Sequence, residues 1–296
     1  MSFQVLGIGE VLWDLLPGGP QLGGAPANFA CHAAALGAHA ALVSRIGRDD
    51  LGREAARLLS ARGLDLSGLS TDEELPTGTV SVEVGAGGHP RFQIAENVAW
   101  DALRADAQAL ALAAGADAVC FGSLGQRTAA AGDAVRRLVR AARPGALRVF
   151  DVNLRPPFHT PEVIAGSLGL ANVLKLNETE LPVLAAQFRL TGSPEEQLAS
   201  LARCFGLQVV ALTLGGAGSR LFRDGRWTAT AARPVLVKDA VGAGDSFTAA
   251  LVVGLLQGWE TEALLAAATE VAAFVCTQAG ASPPLPERLV RMFRPG

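Results

Sequence analysis

The chain has 296 residues, of which 50% are apolar and 18% charged, and its formal net charge at pH 7 is −3. Half of the residues favour burial, so the composition excludes an intrinsically disordered chain and supports a large hydrophobic core. A net charge so close to zero gives no broad basic surface for nucleic acid. The composition therefore predicts a globular enzyme of the cytoplasm that binds no nucleic acid.

The longest stretch without a charged residue covers 15–44, which is long enough to raise the question of a membrane span. It contains Asn28 and is interrupted early by proline and glycine, so it predicts a loop and a buried alanine-rich helix, with no membrane association. The first residues show neither a basic segment nor a long apolar run, so we expect no secretory signal. Four separated cysteines in apolar segments predict buried free thiols in a reducing compartment. They are Cys31, Cys120, Cys204 and Cys276.

Short apolar runs alternate along the chain with segments of helical periodicity. The predicted strands cover 5–9, 41–46, 117–121, 147–150, 173–176 and 209–213. The predicted helices cover 25–36, a segment from Asp49 or Asp50 to Gly63, about 127–142, two segments between 177 and 208 of which the second starts at Ser193, and two near 245–257 and 262–278. This alternation predicts an α/β fold with a mostly parallel central sheet and helices on both faces.

Two segments depart from the alternation and predict β-hairpins. Residues 77–84 alternate polar and apolar side chains, a GAGGHP turn follows, and 91–94 resume an extended pattern. This hairpin interrupts the βα order, so we expect it to project from the main sheet. The dipeptide Asp224-Gly225 marks the turn of a second hairpin between 219–222 and 227–230.

The sharpest local feature is a glycine-rich turn that a predicted strand at 234–237 enters and a helix leaves. Small residues at Gly242, Ala243 and Gly244 let backbone N–H groups converge at a helix N-terminus, where the helix dipole also favours anions. Asp245 stands at the mouth of this turn, where it can accept a proton from an incoming hydroxyl while the turn stabilises a phosphoryl group. Taken alone, Asp245 also fits a helix N-cap.

Two common phosphate-handling classes are absent from the sequence. The chain has only two lysines, Lys175 and Lys238, and neither follows a GxxxxG segment, which excludes a P-loop NTPase. Neither HRD nor DFG occurs, which excludes the protein-kinase apparatus.

The motifs resemble those of the ribokinase/PfkB family of sugar kinases. The segment DAVGAGDSF at 239–247 resembles the C-terminal signature of that family, and GGAPANFA at 23–30 resembles its N-terminal signature. NETE at 177–180 resembles the NxxE motif, and TLGGAG at 213–218 resembles the nucleotide-binding TLGxxG. The resemblance covers about 5–286. It implies a single domain over 1–296 with a ribokinase-like three-layer α/β/α fold and a small β-sheet lid, formed mainly by 12–22 and 77–100.

The resemblance also implies roles for the residues that handle phosphate. Asp245 matches the catalytic base, and Gly242, Ala243 and Gly244 match the anion hole. The positions that match the ATP and Mg²⁺ site are Asn177, Glu180, Thr213, Gly215 and Gly218, together with Asp151 and Asn153 of the DVNLR segment. Glu180 contacts Mg²⁺ through water in this assignment, which agrees with the tendency of Mg²⁺ to keep its waters. Without the resemblance, NETE fits a helix N-terminal cap and the glycine turn fits an ordinary turn.

Four positions match the sugar site, and a further set matches a monovalent cation site. Those of the sugar site are Asp14, Gly23, Gly24 and Asn28, and Arg155 follows as a contact of the sugar or of the transferred phosphoryl. Arg155 also fits a structural pair with an aspartate, and Asp14 and Asn28 also fit ordinary loop polar residues. A K⁺ site matches Asp239, Val241, Val275, Gln278 and Gly280, with Pro284 where some relatives have a serine.

The segments GEVLWDLLP, GGAPANFA and DVNLR together look most like those of bacterial fructokinases. We therefore expect phosphorylation of fructose at its 6-hydroxyl by Mg-ATP and a homodimer formed through the lid. Ribose, 2-keto-3-deoxygluconate, other ketoses and nucleosides remain alternative acceptors. Two other classes stay open: a non-catalytic sugar-binding regulator, and a dinucleotide oxidoreductase based on Gly7 and Gly9, although Leu12 occupies the position of the third glycine.

Overall fold

The computed structural model describes residues 3–84 and 90–294. Its strands are β1 (Gln4–Ile8), β2 (Leu12–Leu16), β3 (Gly19–Gly23), β4 (His39–Gly47), β5 (Leu69–Asp72), β6 (Gly78–Val84), β7 (Pro90–Ile94), β8 (Ala118–Gly122), β9 (Leu147–Asp151), β10 (Val173–Asn177), β11 (Val209–Thr213), β12 (Ser219–Arg223) and β13 (Arg226–Thr230). Its α-helices are α1 (Ala25–Ala35), α2 (Asp50–Ala61), α3 (Ala107–Gly115), α4 (Ala129–Ala141), α5 (Pro161–Leu168), α6 (Leu181–Phe188), α7 (Pro194–Phe205), α8 (Ala243–Leu256), α9 (Thr261–Cys276) and α10 (Glu287–Phe293).

The central sheet has nine strands in the order β13-β12-β11-β10-β9-β8-β1-β4-β5. The strands from β11 to β5 pair in parallel, and the hairpin β12–β13 adds an antiparallel edge. Alternate side chains along each strand enter opposite apolar layers, as the pleat requires. In β10, for example, Val173 packs in the layer that contains α8 and α9 residues, whereas Leu174 packs with α4 and α7 residues. The sheet therefore lies between two helical layers, as predicted.

The predicted elements of this core are confirmed with small changes in their bounds. Helix α2 begins where a cap was predicted, because the Asp49 side chain accepts a 2.7 Å hydrogen bond from the Gly52 N–H. Helix α7 begins at the predicted Ser193, which forms a capping box with Glu196. Among the described residues, no helix combines the length and apolar composition that crossing a bilayer requires.

Two predictions about local structure are wrong. Residues 234–237 form no strand, and Leu236 and Val237 are 91% and 60% exposed. Pro234 has no backbone N–H to give to a sheet, and no strand among the described residues pairs with this segment, so its apolar side chains stay exposed. Of the four predicted buried thiols, Cys204 is exposed and Cys276 is half-buried, because each lies in the last turns of an amphipathic helix.

A separate four-stranded sheet has the order β3-β2-β6-β7. Strands β6 and β7 form the predicted antiparallel hairpin, and the chain returns from it to the core at Ala95. Residues 85–89, which hold most of the predicted GAGGHP turn, lie outside the described ranges. Arg127 anchors the returning chain, since its guanidinium donates to the Ala95 carbonyl at 2.6 Å, pairs with Asp101 at 2.7 Å and lies 3.9 Å from the Trp100 ring centroid. Arg127 thus fixes the segment that connects the small sheet to the core.

Candidate active site

The glycine turn before α8 forms a group of unused backbone donors. Gly242 is the N-cap of α8 and has φ 79°, a left-handed conformation that glycine adopts without strain. A Cβ at this position would lie 1.9 Å from the carbonyl oxygen of Ala281, so no other side chain fits. Among the described residues, no acceptor is found for the N–H groups of Gly244 and Asp245, whereas Ala243 donates to the Ala240 carbonyl at 3.3 Å. The turn therefore offers free N–H groups at a helix N-terminus, which suits an anion.

Asp245 lies in the first turn of α8, beside this turn. Its Oδ2 accepts a 2.8 Å hydrogen bond from the Asn28 side chain of α1. Burial raises the pKa of Asp245 to about 6; the nearby Asp151 carboxylate adds to the shift, and the Asn28 hydrogen bond opposes it. A carboxyl group with a pKa near neutrality is suited to accepting a proton from a substrate hydroxyl. Asp245 does not act as a side-chain cap, because the N-cap of α8 is Gly242.

The DVNLR and NETE segments meet at the carboxyl ends of β9 and β10. Both carboxylate oxygens of Glu180 accept backbone hydrogen bonds, from Leu154 at 3.0 Å and from Asn177 at 2.8 Å. The Asn177 Oδ1 in turn caps the following turn by accepting from the backbone N–H groups of Thr179 and Glu180. Burial raises the pKa of Glu180, and the Lys175 ammonium opposes the shift. The NETE segment therefore stabilises the turn before α6 and supports the DVNLR loop, but it gives α6 no side-chain cap.

The glycine turn after β11 lies beside these segments. Thr213 ends β11, and its hydroxyl donates weakly, at 3.4 Å, to the Leu176 carbonyl. Gly215 and Gly218 have φ 53° and 105°. A Cβ at Gly218 would lie 2.0 Å from the Thr230 carbonyl oxygen, so the close approach of β13 requires glycine there. The turn thus begins at Thr213, which pairs with Asn177 of β10.

The residues predicted for the sugar site lie on β2, at the end of β3 and at the start of α1. Asp14 lies on β2, and a Cβ at Gly23 would lie 2.8 Å from its Oδ2, so glycine leaves room for this carboxylate. Burial raises the pKa of Asp14, the charge of Arg155 opposes the shift, and Asp239 adds to it. Gly24 is the N-cap of α1 with φ 106°. These interactions bring Arg155 close to Asp14, and Gly24 begins the helix that carries Asn28.

The remaining predicted residues lie at the end of β9 and in the loop that follows it. They are Asp151, Asn153 and Arg155. Arg155 is exposed, and its side chain donates to the Leu154 carbonyl at 3.0 Å. Asn153 has φ 39°, and its carbonyl accepts a 3.2 Å hydrogen bond from Ser123. Asp151 ends β9 and pairs with Lys175 rather than with Arg155. The structural Arg155–aspartate pair considered above is therefore absent from the described contacts.

The positions predicted for K⁺ fall into two groups. The Asp239 carboxylate accepts hydrogen bonds from the backbone N–H groups of Val241 at 3.0 Å and Gly280 at 3.1 Å, which brings these three residues together. Val275 and Gln278 lie at the end of α9, where the Gln278 N–H donates to the Val275 carbonyl at 3.0 Å. The carboxylate of Asp239 thus ties the loop before α8 to the loop after α9.

Two buried charged residues of the site were not predicted. Glu10 is 2% exposed; its Oε1 accepts from the Ala25 N–H at 3.2 Å, and its Oε2 has no hydrogen-bond partner among the described residues. Burial raises the pKa of Glu10 to about 7. Lys175 is the second, and it pairs with Asp151 beneath the glycine turn. The sequence held one signal for Lys175, a lone charge inside the apolar strand VLKLN.

The fold and the site together define an α/β protein with a turn of free N–H groups and a buried carboxyl, that of Asp245, beside a mostly parallel sheet. The sequence pattern described as pfkB family carbohydrate kinase matches residues 20–288. The chain therefore belongs to the pfkB family of carbohydrate kinases, as the motifs predicted. This membership contradicts the oxidoreductase interpretation.

Similar proteins of known name support the family and the fold. The fructokinase of Klebsiella pneumoniae is 29% identical over 308 residues, 97% of this chain and 97% of that protein. A putative sugar kinase of Pyrococcus horikoshii is 30% identical over 241 residues, 79% of this chain and 73% of that protein. Its crystal structure in complex with ATP matches with a TM-score of 0.83 and 28% identity, over 98% of this chain and all of that one. Fructokinase with bound ATP from Xylella fastidiosa has a TM-score of 0.87 at 21% identity, covers 97% of each chain and shows the fold alone. The predicted ribokinase-like fold class is confirmed.

Proposed function

We propose that this chain is an ATP-dependent sugar kinase that transfers the γ-phosphoryl group of Mg-ATP to a sugar hydroxyl. The observation that carries the proposal is the position of Asp245, a carboxyl with a pKa of about 6, beside a turn of free N–H groups. A carboxylate beside an anion site opposes simple anion binding, but it suits a base that acts on a hydroxyl next to a transferred phosphoryl. The ATP complex of the relative from Pyrococcus horikoshii supports ATP as the donor.

In this mechanism the sugar hydroxyl approaches Asp245, which removes its proton. The sugar oxygen then forms a bond to the γ-phosphorus, and the bond from that phosphorus to the β,γ-bridging oxygen breaks, so that ADP leaves with the electron pair. The free N–H groups at Gly244 and Asp245 donate to the transferred phosphoryl oxygens and stabilise their charge. Asn28 orients the Asp245 carboxylate through its 2.8 Å hydrogen bond.

The nucleotide is assigned to the carboxyl ends of β9, β10 and β11. We propose that the backbone at Thr213, Gly215 and Gly218 contacts the nucleotide, and that Asn177, Asp151 and Asn153 lie along its phosphates. The carboxylate of Glu180 is already bonded to two backbone N–H groups, which fits a role toward Mg²⁺ through water rather than direct ligation. Mg²⁺ supplies charge neutralisation on the phosphates when bound with ATP.

The preferred acceptor that we propose is fructose, phosphorylated at its 6-hydroxyl. Proteins named fructokinase in Klebsiella pneumoniae and Salmonella typhimurium are 29% and 30% identical to this chain and support the proposal. Ribose, 2-keto-3-deoxygluconate and nucleosides are the alternatives. In each case Asp14 and Asn28 hold hydroxyl groups of the sugar, with Gly23 and Gly24 giving access, and Arg155 contacts the sugar or the phosphoryl.

The sugar assignment is tested by steady-state kinetics with fructose, ribose, 2-keto-3-deoxygluconate, tagatose and adenosine at saturating Mg-ATP. We expect fructose to give the highest kcat/KM and a product identified as the 6-phosphate by NMR. A tenfold higher value for another acceptor, equivalent to about 1.4 kcal/mol, contradicts fructose but keeps the kinase mechanism. The absence of turnover with every acceptor contradicts the kinase proposal and favours a sugar-binding regulator.

Asp14→Ala is expected to lower kcat/KM for the preferred sugar by about a hundredfold or more while leaving ATP binding within about threefold of wild type. The reason is that the sugar hydroxyl then loses a buried acceptor. Asp14→Asn, which keeps one acceptor oxygen, is the conservative control and should lose less. Equal losses in sugar and ATP binding, measured by calorimetry, contradict the assignment of Asp14 to the sugar.

The small sheet is proposed to cover the sugar as a lid and to pair with a second copy in a homodimer. Asp14 on β2 lies close to Arg155, while Leu15 on the same strand is 39% exposed and available for such a contact. A monomeric mass in light scattering contradicts the dimer alone.

We also propose a K⁺ site formed by Asp239, Val241, Val275, Gln278 and Gly280. Replacing K⁺ by tetramethylammonium in the kinase assay tests this site.

A further inference from the structure

Lys175 is a charged residue in the middle of a buried strand. It is one of only two lysines in the chain, and its side chain is 6% exposed. Removing an ammonium group from water is costly unless other charges and hydrogen bonds compensate it. A role for this lysine must therefore come from the groups around it.

A chain of polar contacts connects Lys175 to the helix that carries the proposed base. The Lys175 Nζ donates to Asp151 Oδ1 at 3.1 Å, and Asp151 Oδ2 accepts from the Thr248 hydroxyl at 2.8 Å. The Thr248 hydroxyl also lies 3.0 Å from the carbonyl oxygen of Gly244. The contacts thus run from β10 through β9 to the first turn of α8.

The ammonium group also lies directly against the anion-binding turn. A Cβ at Gly244 would lie 2.8 Å from the Lys175 Nζ, so the absence of a side chain at Gly244 makes room for the cation. Three carboxylates surround the ammonium, those of Asp151, Glu180 and Asp245. Burial disfavours the charged form, but these carboxylates outweigh it and raise the pKa of Lys175. The lysine is therefore a fixed positive charge beneath the proposed phosphoryl-transfer site.

We propose that Lys175 is a positioning residue of this site, which holds the first turn of α8 in place through Asp151 and Thr248 and balances the carboxylates beneath the anion-binding turn. The proposal rests on the kinase function proposed above. Loss of the ammonium leaves three acidic groups without a buried counter-charge, next to a phosphoryl group that is itself negative. The transition state should lose more from this change than substrate binding does, because charge is redistributed only during transfer.

The charge of Lys175 also acts on Asp245. The charged and polar groups that face the Asp245 carboxyl from the surrounding elements are Glu10, Asn28, Cys120, Asp151, Arg155 and Lys175. Of these, Asn28 through its hydrogen bond and Lys175 and Arg155 through their charges favour the carboxylate and so lower its pKa. Without the Lys175 charge the Asp245 pKa rises, and the acid limb of the rate profile moves to higher pH.

The test compares Lys175→Met with wild type in the full-length chain, using Mg-ATP and the preferred sugar. We expect kcat to fall about a hundredfold, with KM for sugar and for ATP within about threefold of wild type. We also expect the acid limb of kcat/KM to move upward by at least about half a pH unit. Arg140→Met is the matched control, because Arg140 is an exposed cation in the last turn of α4 and its loss should change neither value.

Lys175→Met leaves Asp151 as an unpaired buried charge and can therefore prevent folding. The double variant Lys175→Met/Asp151→Asn removes both charges, and it is compared with Asp151→Asn alone so that any role of Asp151 cancels. We expect the double variant to be folded by circular dichroism and to have kcat at least about thirtyfold below that of Asp151→Asn. A merely structural ion pair predicts equal kcat for these two variants.

Three outcomes overturn the proposal. A folded Lys175→Met with kcat and acid limb close to wild type shows that the lysine has no positioning role. If Lys175→Met does not fold, equal kcat values in Asp151→Asn and the double variant show that the lysine has no positioning role. Both results leave the kinase function intact, whereas a wild-type chain without turnover on any acceptor overturns the kinase function and this proposal together.

Discussion

Asp245→Asn is expected to lower kcat by about 10²–10⁴-fold while the fold remains intact, because the amide cannot accept the proton of the sugar hydroxyl. The asparagine can still accept the hydrogen bond from Asn28, which is 2.8 Å long in the wild-type chain, so the geometry of the site should persist. Steady-state kinetics and thermal unfolding of the purified variant provide the measurement. Asp50→Asn is the matched control, since Asp50 is an exposed acidic residue in the first turn of α2. A variant that retains more than about a tenth of wild-type kcat contradicts the assignment.

The pH dependence of the wild-type chain follows from the same carboxyl group. The pKa of Asp245 is raised to about 6, so the basic form disappears as the pH falls through that value. We expect kcat/KM to fall about tenfold per pH unit below pH 6 and to be level above pH 7. The stability of the fold should change in the opposite direction. An acid whose pKa is higher in the folded state than in the unfolded state lowers the unfolding free energy as the pH rises between these two pKa values. Asp245→Asn should therefore unfold at an equal or higher temperature than wild type at pH 8.

Gly242→Ala is expected to lower both activity and stability. The alanine must adopt φ 79°, and its Cβ would lie 1.9 Å from the Ala281 carbonyl oxygen, so the loop after α9 must move away from the anion-binding turn. Left-handed strain and this backbone clash together should cost about 2 kcal/mol or more of unfolding free energy. Displacement of the N–H donors should lower kcat by about 10²–10³-fold, as for loss of an oxyanion donor.

The control for this variant lies at the other end of the same helix. Gly258 follows α8 with φ 72°, and among the described residues no atom beyond its chain neighbours lies within 4 Å of the position of its Cβ. Gly258→Ala should therefore cost only the conformational strain, about 1 kcal/mol, and should leave kcat unchanged. Urea unfolding and kinetics of the two variants separate strain from clash. Equal effects in both contradict the contact between the glycine turn and Ala281 as the reason for glycine at 242.

The amino-acid sequence by itself determined most strands and helices of the core, but not α3 and α5, and it located the glycine turn before α8. Both depend on short-range patterns: apolar runs such as VVALT form buried strands, Ser193 and Glu196 cap a helix, and the glycines at 242 and 244 free the backbone of one turn. The resemblance of four motifs then implied the family, because their order along the chain is specific even though each motif alone is weak.

The sequence pattern gave wrong predictions where the structure depends on contacts with distant segments. Residues 234–237 have the composition of a strand, but they pair with no strand that the structure describes, and Leu236 is 91% exposed. Cys204 occupies an apolar stretch, yet the packing of α7 places it on the outer face. In both cases the local composition favours a strand or burial, but the tertiary contacts leave the residues exposed.

Only the tertiary structure decided which distant residues act together. Asn28 and Asp245 are 217 positions apart, yet their side chains form a hydrogen bond, and Lys175 lies against Gly244 from a different strand. The pKa values of Glu10 and Lys175 are both raised for reasons of this kind: burial and the groups of neighbouring elements set them. Electrostatic energy depends on distance in space and on solvent exclusion, and the sequence specifies neither until the sheet has brought its carboxyl edge together.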